Sequence, residues 1–269
     1  MIVQSAPDGQ PRLVITMAEH TAFSAQAARA FGNDRFEPVT PADEMLYIIE
    51  HHDAGWAELD GQAPTEPGTG LPYNLVETPF EKIVKTSSKS PEFNTRRHAY
   101  CGLLSSMHSW GLYNGRYGLS NLVLLDSLAD ANRAEADRML DGELQRQNRL
   151  KEELARDPVT APWIEDGHLM QNYKQLQFFD TLALYFNCKH EGARGEQSFE
   201  HVPMDAHQDT TIEIKPLGES RYRLAPYPFA EDGIELSFTG RYAKPDENGE
   251  TVDLSFIETS RQSVRFFAS

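Results

Sequence analysis

The sequence contains few cysteines and no long apolar run. Only two of its 269 residues are cysteines, Cys101 and Cys188, which is too few for a disulfide scaffold. It has no stretch of about 18 consecutive apolar residues, and the N-terminus lacks a basic segment followed by an apolar one. We therefore expect a cytoplasmic protein that starts at or near Met1 and has no membrane partner.

Positive charge is also scarce. The chain has 25 lysines and arginines against 41 aspartates and glutamates, which gives a formal net charge of −16. Proteins that bind the phosphate backbone of nucleic acids use clustered basic residues, so this balance argues against nucleic acid as a partner. Hydrophobic residues make up 39% and charged residues 25%, as in ordinary globular proteins.

The beginning of the chain predicts a β-hairpin followed by two helices. Apolar residues 1–3 and 13–15 flank the turn sequence Pro-Asp-Gly at 7–9. Thr16 and Glu19 form a capping-box pattern for a helix over 17–31. A second helix is expected from Thr40, as its N-cap, to about His52.

The rest of the chain divides into a helical part and a β-rich part. We predict a long loop over 60–79, helices over 95–113, 121–155 and 167–188, and a polar linker or surface excursion over 189–209. Short strands are expected within 211–214, 222–224, 235–238, 252–256 and 264–267, with a hairpin turn at 248–249. The resulting expectation is a mainly α fold with an N-terminal β-hairpin and a small C-terminal antiparallel β-sheet. The expected domains are 1–209, helical and metal-binding, and 210–269, a β-rich subdomain packed on it.

The adjacent residues His52 and Asp53 are the first candidates for chemistry. They continue the apolar face of the second predicted helix, on which Ile48 and Ile49 lie. A buried carboxylate beside an imidazole needs a charge partner or a metal ion. One metal ion would satisfy both side chains.

Three more polar side chains interrupt apolar helix faces or enter them. Asp180 lies where packing alone would favour leucine or alanine, and His108 lies one turn from Leu104 and Leu112. His20 enters from the first turn of the first predicted helix.

Along the chain these residues follow one another as His20, His52-Asp53, His108 and Asp180. This order resembles the HD superfamily of metal-dependent phosphohydrolases, whose metal is held by a first His, an adjacent His-Asp pair and a distant Asp on helices of a bundle. The resemblance implies an HD-domain-like helical bundle with His20, His52, Asp53 and Asp180 as metal ligands. We expect these four side chains to lie together even when no ion is bound.

A narrower resemblance covers about residues 1–243. The segments 50–56 (EHHDAGW), 69–72 (TGLP), 106–108 (SMH) and 179–184 (FDTLAL) are similar to an uncharacterised bacterial family of unknown function with a His-Asp-x-Gly-Trp motif. Gly55 and Trp56 follow the His-Asp pair where better-known HD branches often have a lysine. Trp56 is the tryptophan that we most expect at a functional site.

Structural explanations compete with metal binding at each position. His52 and Asp53 would also form a hydrogen-bonded pair at a helix end, where a protonated histidine is favourable. Asp180 would also pair with an arginine such as Arg133 or Arg146.

The remaining histidines leave similar choices. His20 would also suit a partly exposed first turn, and His108 either a core position or a role beside the metal. His51 and His98 are candidates for a second metal, although surface positions suit them better, and the histidines within 201–207 are expected at the surface.

The leading functional hypothesis is a hydrolase that uses a metal-activated water on a small phosphoester or phosphoanhydride. Mixed nitrogen and oxygen ligands suit Mn, Fe, Zn, Co or Ni. Asp53 would orient the water, and His108 would contact the phosphate or act as general acid. Arg96, Arg97 or Lys174 would offset the acidic field around a phosphorylated small-molecule substrate.

Two alternatives stay open. An iron-dependent HD-type oxygenase would use His51, His98 and His108 for a second iron, whereas a ligand-binding or regulatory module would keep the ligands without the chemistry. A homo-oligomer, with the C-terminal sheet as a contact, is equally compatible with the sequence.

Overall fold

The computed structural model describes residues 1–243 and 259–268. Within these ranges the helices are α1 (Met17–Ala30), α2 (Ala42–His51), α3 (Ala57–Gln62), α4 (Phe80–Thr95), α5 (Ala99–Tyr113), the single turn α6 (Gly115–Gly118), α7 (Asp130–Leu154) and α8 (Asp166–Cys188). The strands are β1 (Ile2–Val3), β2 (Arg12–Ile15), β3 (Gln197–Pro203), β4 (Asp209–Gly218), β5 (Arg221–Ala225), β6 (Ile234–Ala243) and β7 (Thr259–Phe267).

All seven of these strands belong to one mixed sheet in the order β1-β2-β6-β7-β5-β4-β3. Neighbours pair antiparallel except β5 and β7, which are parallel with Tyr222 opposite Phe266. The sheet curls into a half-barrel. The expectation of a mainly α, HD-domain-like bundle with a separate N-terminal hairpin and a small C-terminal antiparallel sheet is therefore wrong.

The physical reason is a long-range strand pairing. Leu13 of β2 lies opposite Tyr242 of β6, so the N-terminal hairpin extends the C-terminal sheet instead of standing alone. A local hydrophobic pattern identifies a strand but not its distant partner. The predicted domain boundary at residue 209 stays a prediction. The sheet contains strands from before and after this residue, because β3 pairs with β4.

Aromatic side chains join the sheet to helices α1 and α8. Phe23 of α1 makes an edge contact with Phe238 of β6 and a tilted contact with Phe186 of α8, both with ring centres 5.6 Å apart. Phe178 of α8 makes an edge contact with Phe199 of β3, with the ring centres 5.7 Å apart. Each such fully buried ring contributes about 1.5–3 kcal/mol of transfer free energy. These contacts hold α1 and α8 side by side on the sheet.

Several local predictions are confirmed. Thr16 caps α1, because its hydroxyl accepts a hydrogen bond from the Glu19 amide at 3.2 Å. The predicted runs 211–214, 222–224, 235–238 and 264–267 lie within β4, β5, β6 and β7. The predicted strand 252–256 and the turn at 248–249 lie outside the described residues.

Two regions differ from the predictions. No element was predicted for residues 80–94, which form most of helix α4 and pack against α5. The polar segment 189–209 was expected to be a linker or a surface excursion, but it contains β3, which has a bulge between Phe199 and Val202. That irregularity interrupts the alternating pattern by which strands are recognised.

Candidate metal site

Five of the polar side chains singled out in the sequence lie together where α1, α5, α8 and the turn after α2 meet. His20 comes from the first turn of α1, His108 from the middle of α5 and Asp180 from the middle of α8. His52 and Asp53 follow directly after α2, in the turn that leads to the short 3-10 helix Ala54–Trp56. We call these five residues the His/Asp cluster.

His20 is fully buried and held through both ring nitrogens. Its Nδ1 lies 2.9 Å from Oδ1 of Asn187, and its Nε2 lies 3.1 Å from Oδ1 of Asp180. An amide oxygen only accepts hydrogen bonds, so Nδ1 carries a proton. Nε2 is therefore the nitrogen that faces the carboxylate, and the partly exposed position considered for His20 is excluded.

His52 has one ring nitrogen that is hydrogen-bonded and one that is buried without a hydrogen-bond partner. Its Nδ1 donates to the backbone carbonyl of Ile49 at 2.8 Å, which directs Nε2 toward the two carboxylates. Nε2 is buried without a hydrogen-bond partner; it lies 3.5 Å from Oδ2 of Asp53 and 3.8 Å from Oδ1 of Asp180. Both separations exceed a normal hydrogen bond. A buried polar atom in this state is uncommon and calls for an explanation such as an ion.

His108 lies beside His52, with the two ring centres 5.0 Å apart. The side-chain amide of Gln177 lies 2.8 Å from its Nδ1 and donates to it. Burial lowers the pKa of His108 to about 4, and the neighbouring His52 acts in the same direction. His108 is therefore neutral at pH 7 and carries its single proton on Nε2.

The charges of His52 and Asp180 depend on each other. Burial by itself would lower the pKa of His52, but Asp53 and Asp180 outweigh it and raise this pKa to about 9. Burial would raise the pKa of Asp180, but His20 and His52 hold it well below its ordinary value. Without an ion, a proton on His52 thus neutralises part of the carboxylate charge. A divalent cation can take the place of that proton.

This coupling predicts how the stability of the metal-free protein changes with pH. Because the pKa of His52 rises from 6.5 to about 9 on folding, its contribution is fully present below pH 6.5 and is lost as the pH rises toward 9. We expect the free energy of unfolding after chelation to fall by roughly 2 kcal/mol between pH 6.5 and 8.5. Urea titrations measure it, with His52→Gln as the control that should lack this slope. An equal slope in that variant would contradict the assignment.

Gly55 lets the turn after Asp53 approach helix α4. A Cβ at Gly55 would stand 2.3 Å from the carbonyl oxygen of Thr86 and 2.7 Å from the amide nitrogen of Ser90. The amide of Gly55 also donates to Oγ of Ser90 at 2.9 Å. The glycine of the His-Asp-x-Gly-Trp motif is therefore required by packing, and it positions Asp53.

Gly55→Ala should destabilise the protein by about 1–3 kcal/mol, because the new methyl group overpacks this contact. Gly142→Ala is the matched control, since a Cβ there meets nothing within 4 Å. Urea unfolding measures both variants. Equal stability of the two would show that the turn moves freely away from α4.

The cluster forms one wall of a cavity of about 430 Å³. His20, Asp53, His108 and Asp180 line this cavity together with Trp56, whereas His52 is fully buried behind them. Trp56, the tryptophan that we expected at a functional site, therefore lines the same cavity as the cluster, and its role stays a prediction. A ligand in the cavity would thus meet both carboxylates and two of the imidazoles.

Arg116 also lines the cavity, and the sequence reasoning missed it. One of its guanidinium nitrogens lies 3.8 Å from Oδ2 of Asp180. All four residues of α6 have positive φ, with 52° at Arg116 and 59° at Tyr117. Two consecutive non-glycine residues in the left-handed region cost roughly 1–2 kcal/mol each. Such strain is typical of functional sites. In the sequence, Gly115 and Gly118 on either side of Arg116 and Tyr117 were the signal that could have predicted this turn.

The other basic candidates lie elsewhere. The structure pairs Arg96 with Glu92, Arg97 with the Tyr47 ring, Lys174 with Asp209, Arg133 with Asp137 and Arg146 with Glu143. None of these five basic residues lines the cavity as described. The predictions that Arg96, Arg97 or Lys174 would offset the charge there, and that Arg133 or Arg146 would pair with Asp180, are not supported by these contacts.

The remaining histidines stand apart from the cluster. His51 stacks between Tyr47 and Phe93, and His98 packs against Trp163 and caps α5. Among residues 1–243 and 259–268, the groups with metal-ligand spacing are His20-His52-Asp53 and His52-His108-Asp180.

The cluster fits a metal ion by its donor set and its spacing. Two ligand atoms at about 2.0–2.2 Å from one ion lie at most about 4.4 Å apart. Three contacts meet this condition: 3.1 Å from His20 to Asp180, 3.5 Å from His52 to Asp53 and 3.8 Å from His52 to Asp180. The two groups with mutual ligand spacing share His52. The buried Nε2 of His52 has no hydrogen-bond partner, and an ion bound between these groups would give it one.

Fold and cluster together define a mixed helix-and-sheet protein with a buried His/Asp constellation at the wall of a cavity. The chain belongs to the family described as "Protein of unknown function (DUF3891)", which matches residues 1–244. No curated protein and no solved structure gives a significant match. Among the helices in the described part of the chain, none combines the length and the hydropathy that crossing a bilayer requires.

Proposed function

We propose that this protein is a metal-dependent hydrolase that cleaves a small phosphoester or phosphoanhydride. The observation that carries the proposal is the buried Nε2 of His52, which has no hydrogen-bond partner and faces Asp53 and Asp180 at the cavity wall. The order of the site residues along the chain, which resembles that of the HD superfamily, supports the same reading. HD-superfamily membership is part of this proposal.

His20, His52, Asp53 and Asp180 would hold one divalent ion of Mn, Fe, Zn, Co or Ni. When bound, such an ion lowers the pKa of a water and polarises a phosphoryl oxygen. Asn187 and the Ile49 carbonyl hold the two imidazoles in the orientation that directs Nε2 inward. Contacts of this kind are typical of the partners behind metal-binding histidines.

The other residues of the cavity would handle the substrate. Asp53 keeps 14% of its side chain exposed toward the cavity and can orient a water molecule and accept its proton. His108 is neutral and carries its proton on Nε2, so it suits donation of a hydrogen bond to a phosphoryl oxygen better than general-acid catalysis. Arg116 supplies a permanent positive charge beside the acidic cluster.

In the reaction, the oxygen of water bonds to phosphorus and the bond from phosphorus to the leaving oxygen breaks. One proton of the water stays on the new phosphate oxygen, and the other would pass through Asp53 to the leaving oxygen. The chain supplies orientation and charge at each of these positions.

A combined measurement tests the proposal. Metal content is determined on the purified protein, and a broad panel of phosphoesters and phosphoanhydrides is assayed with added Mn, Fe, Ni, Co, Zn or Mg. We expect a transition metal bound near stoichiometry and turnover that chelation removes. A protein that takes up no metal and hydrolyses no member of the panel would contradict the proposal.

The same data separate the two alternatives. A two-iron oxygenase would draw on His51, His98 and His108, and only His108 joins the cluster. One non-iron metal per chain would count against it. A regulatory module would show thermal stabilisation by a nucleotide without turnover.

A further inference from the structure

We propose that the substrate is an amphiphile, namely the phosphate ester of an apolar aliphatic or aromatic alcohol. The proposal rests on the hydrolase function above and specifies its substrate class. Hydrolysis would give inorganic phosphate and the apolar alcohol, with one proton of the water ending on the alcohol oxygen.

The cavity has two chemically different ends. The His/Asp cluster and Arg116 form the charged end. Two chain segments form the remaining wall, one from the loop before α4 and the start of α4, the other from the end of α5 and the segment after α6. Its apolar side chains include Leu75, Phe80, Ile83, Leu112, Leu124 and Leu128.

Several hydroxyl groups in this wall already have backbone partners. Thr78 donates to the carbonyl of Asn74, Ser109 to that of Ser87, and Ser127 to that of Leu124. Because their protons are used in this way, these three hydroxyls can accept a hydrogen bond from a ligand but cannot donate one. The apolar side chains that make up most of the wall therefore favour an apolar group over a sugar or nucleoside next to the phosphate.

The mouth of the cavity exposes apolar side chains to solvent. Val76 is 81% exposed and Leu122 is 69% exposed, and both line the cavity. Exposed apolar surface that continues into a cavity is typical of a binding groove for an apolar ligand. The volume of about 430 Å³ lies within the usual range for small-molecule sites.

The experiment uses the Mn²⁺-loaded full chain and n-alkyl phosphonates, whose carbon-phosphorus bond resists hydrolysis. Calorimetry measures the Kd of the ethyl, butyl and hexyl compounds. We expect affinity to rise roughly threefold to fourfold per added methylene, the increment for burying such a group. In parallel, kcat/KM is measured for the corresponding alkyl phosphates and for a sugar phosphate.

Matched variants connect the effect to the cavity. The double variant Val76→Asn with Leu122→Asn should reduce the gain in affinity from butyl to hexyl, because these two side chains lie where the longer chain leaves the buried wall. Val159→Asn is the control, because Val159 is 66% exposed and does not line this cavity. All three positions are at the surface, so the changes should leave the fold intact.

The outcomes distinguish this proposal from the function on which it rests. Binding that strengthens with chain length but no turnover supports the amphiphile site and overturns the hydrolase. Turnover that is independent of chain length, or that is faster with the sugar phosphate, overturns the amphiphile proposal and leaves the hydrolase. Phosphonate binding that is independent of chain length also overturns the amphiphile proposal. No phosphonate binding to the metal-loaded protein together with no turnover overturns both.

Discussion

Asp180→Asn is expected to lower metal affinity by more than about 100-fold, which exceeds the usual effect of removing a residue behind the ligands. Asp180 is the residue on which the cluster converges, since one of its oxygens lies 3.1 Å from His20 and 3.8 Å from His52. Its carboxylate also raises the pKa of His52 and would neutralise part of the charge of an ion bound beside it. The amide has nearly the same volume but no charge, so the ion loses a charged ligand.

The fold should survive this change, because the NH2 group of the new side chain can donate a hydrogen bond to Nε2 of His20. Metal analysis after dialysis and urea unfolding of the chelated protein measure the two effects separately. Asp166→Asn, at the exposed start of the same helix, is the control and should bind metal as the wild type does. Equal metal affinity of the two variants would remove Asp180 from the ligand set.

Arg116→Ala is expected to lower kcat/KM for a phosphoester by roughly 10²–10³, the effect of removing one donor that stabilises developing charge. Metal content should stay unchanged, because Arg116 faces the oxygen of Asp180 opposite to the one near His20 and His52. Arg116→Lys should recover only part of the loss, since an ammonium group cannot contact a phosphate through two parallel donors. Steady-state kinetics measure all three proteins.

The left-handed backbone at Arg116 provides a second readout. Arg116→Gly should lose as much activity as Arg116→Ala, yet be more stable than the alanine variant by roughly 1 kcal/mol, because glycine adopts positive φ without strain. Arg133→Ala, at an exposed pair with Asp137, controls for loss of a surface charge. Full activity of Arg116→Ala would contradict a role for this side chain in the reaction.

The five residues of the cluster could be named from the sequence because each interrupts or adjoins an apolar helix face. Helix periodicity is a local property, so a polar residue such as Asp180 among Leu176, Phe179 and Ala183 is visible without knowing its neighbours in space. Arg116 could not be found in the same way. It lies on a strained turn, and its local sequence does not show that this turn comes close to Asp180.

The partners of the histidines were also out of reach. Asn187 is 167 residues from His20 along the chain, and Gln177 is 69 residues from His108. Both lie on α8, and only the packing of α8 between α1 and α5 brings them to the rings.

The sequence alone determined where α1, α2, α5 and the β-rich runs form and which polar residues their apolar faces carry, because caps and periodicity act over a few residues. The tertiary structure decided the curled sheet that joins β2 to β6, the apolar cavity and the position of Arg116. These features depend on contacts between segments far apart in the chain. Their stability comes from burial and pairing that arise only when those segments meet.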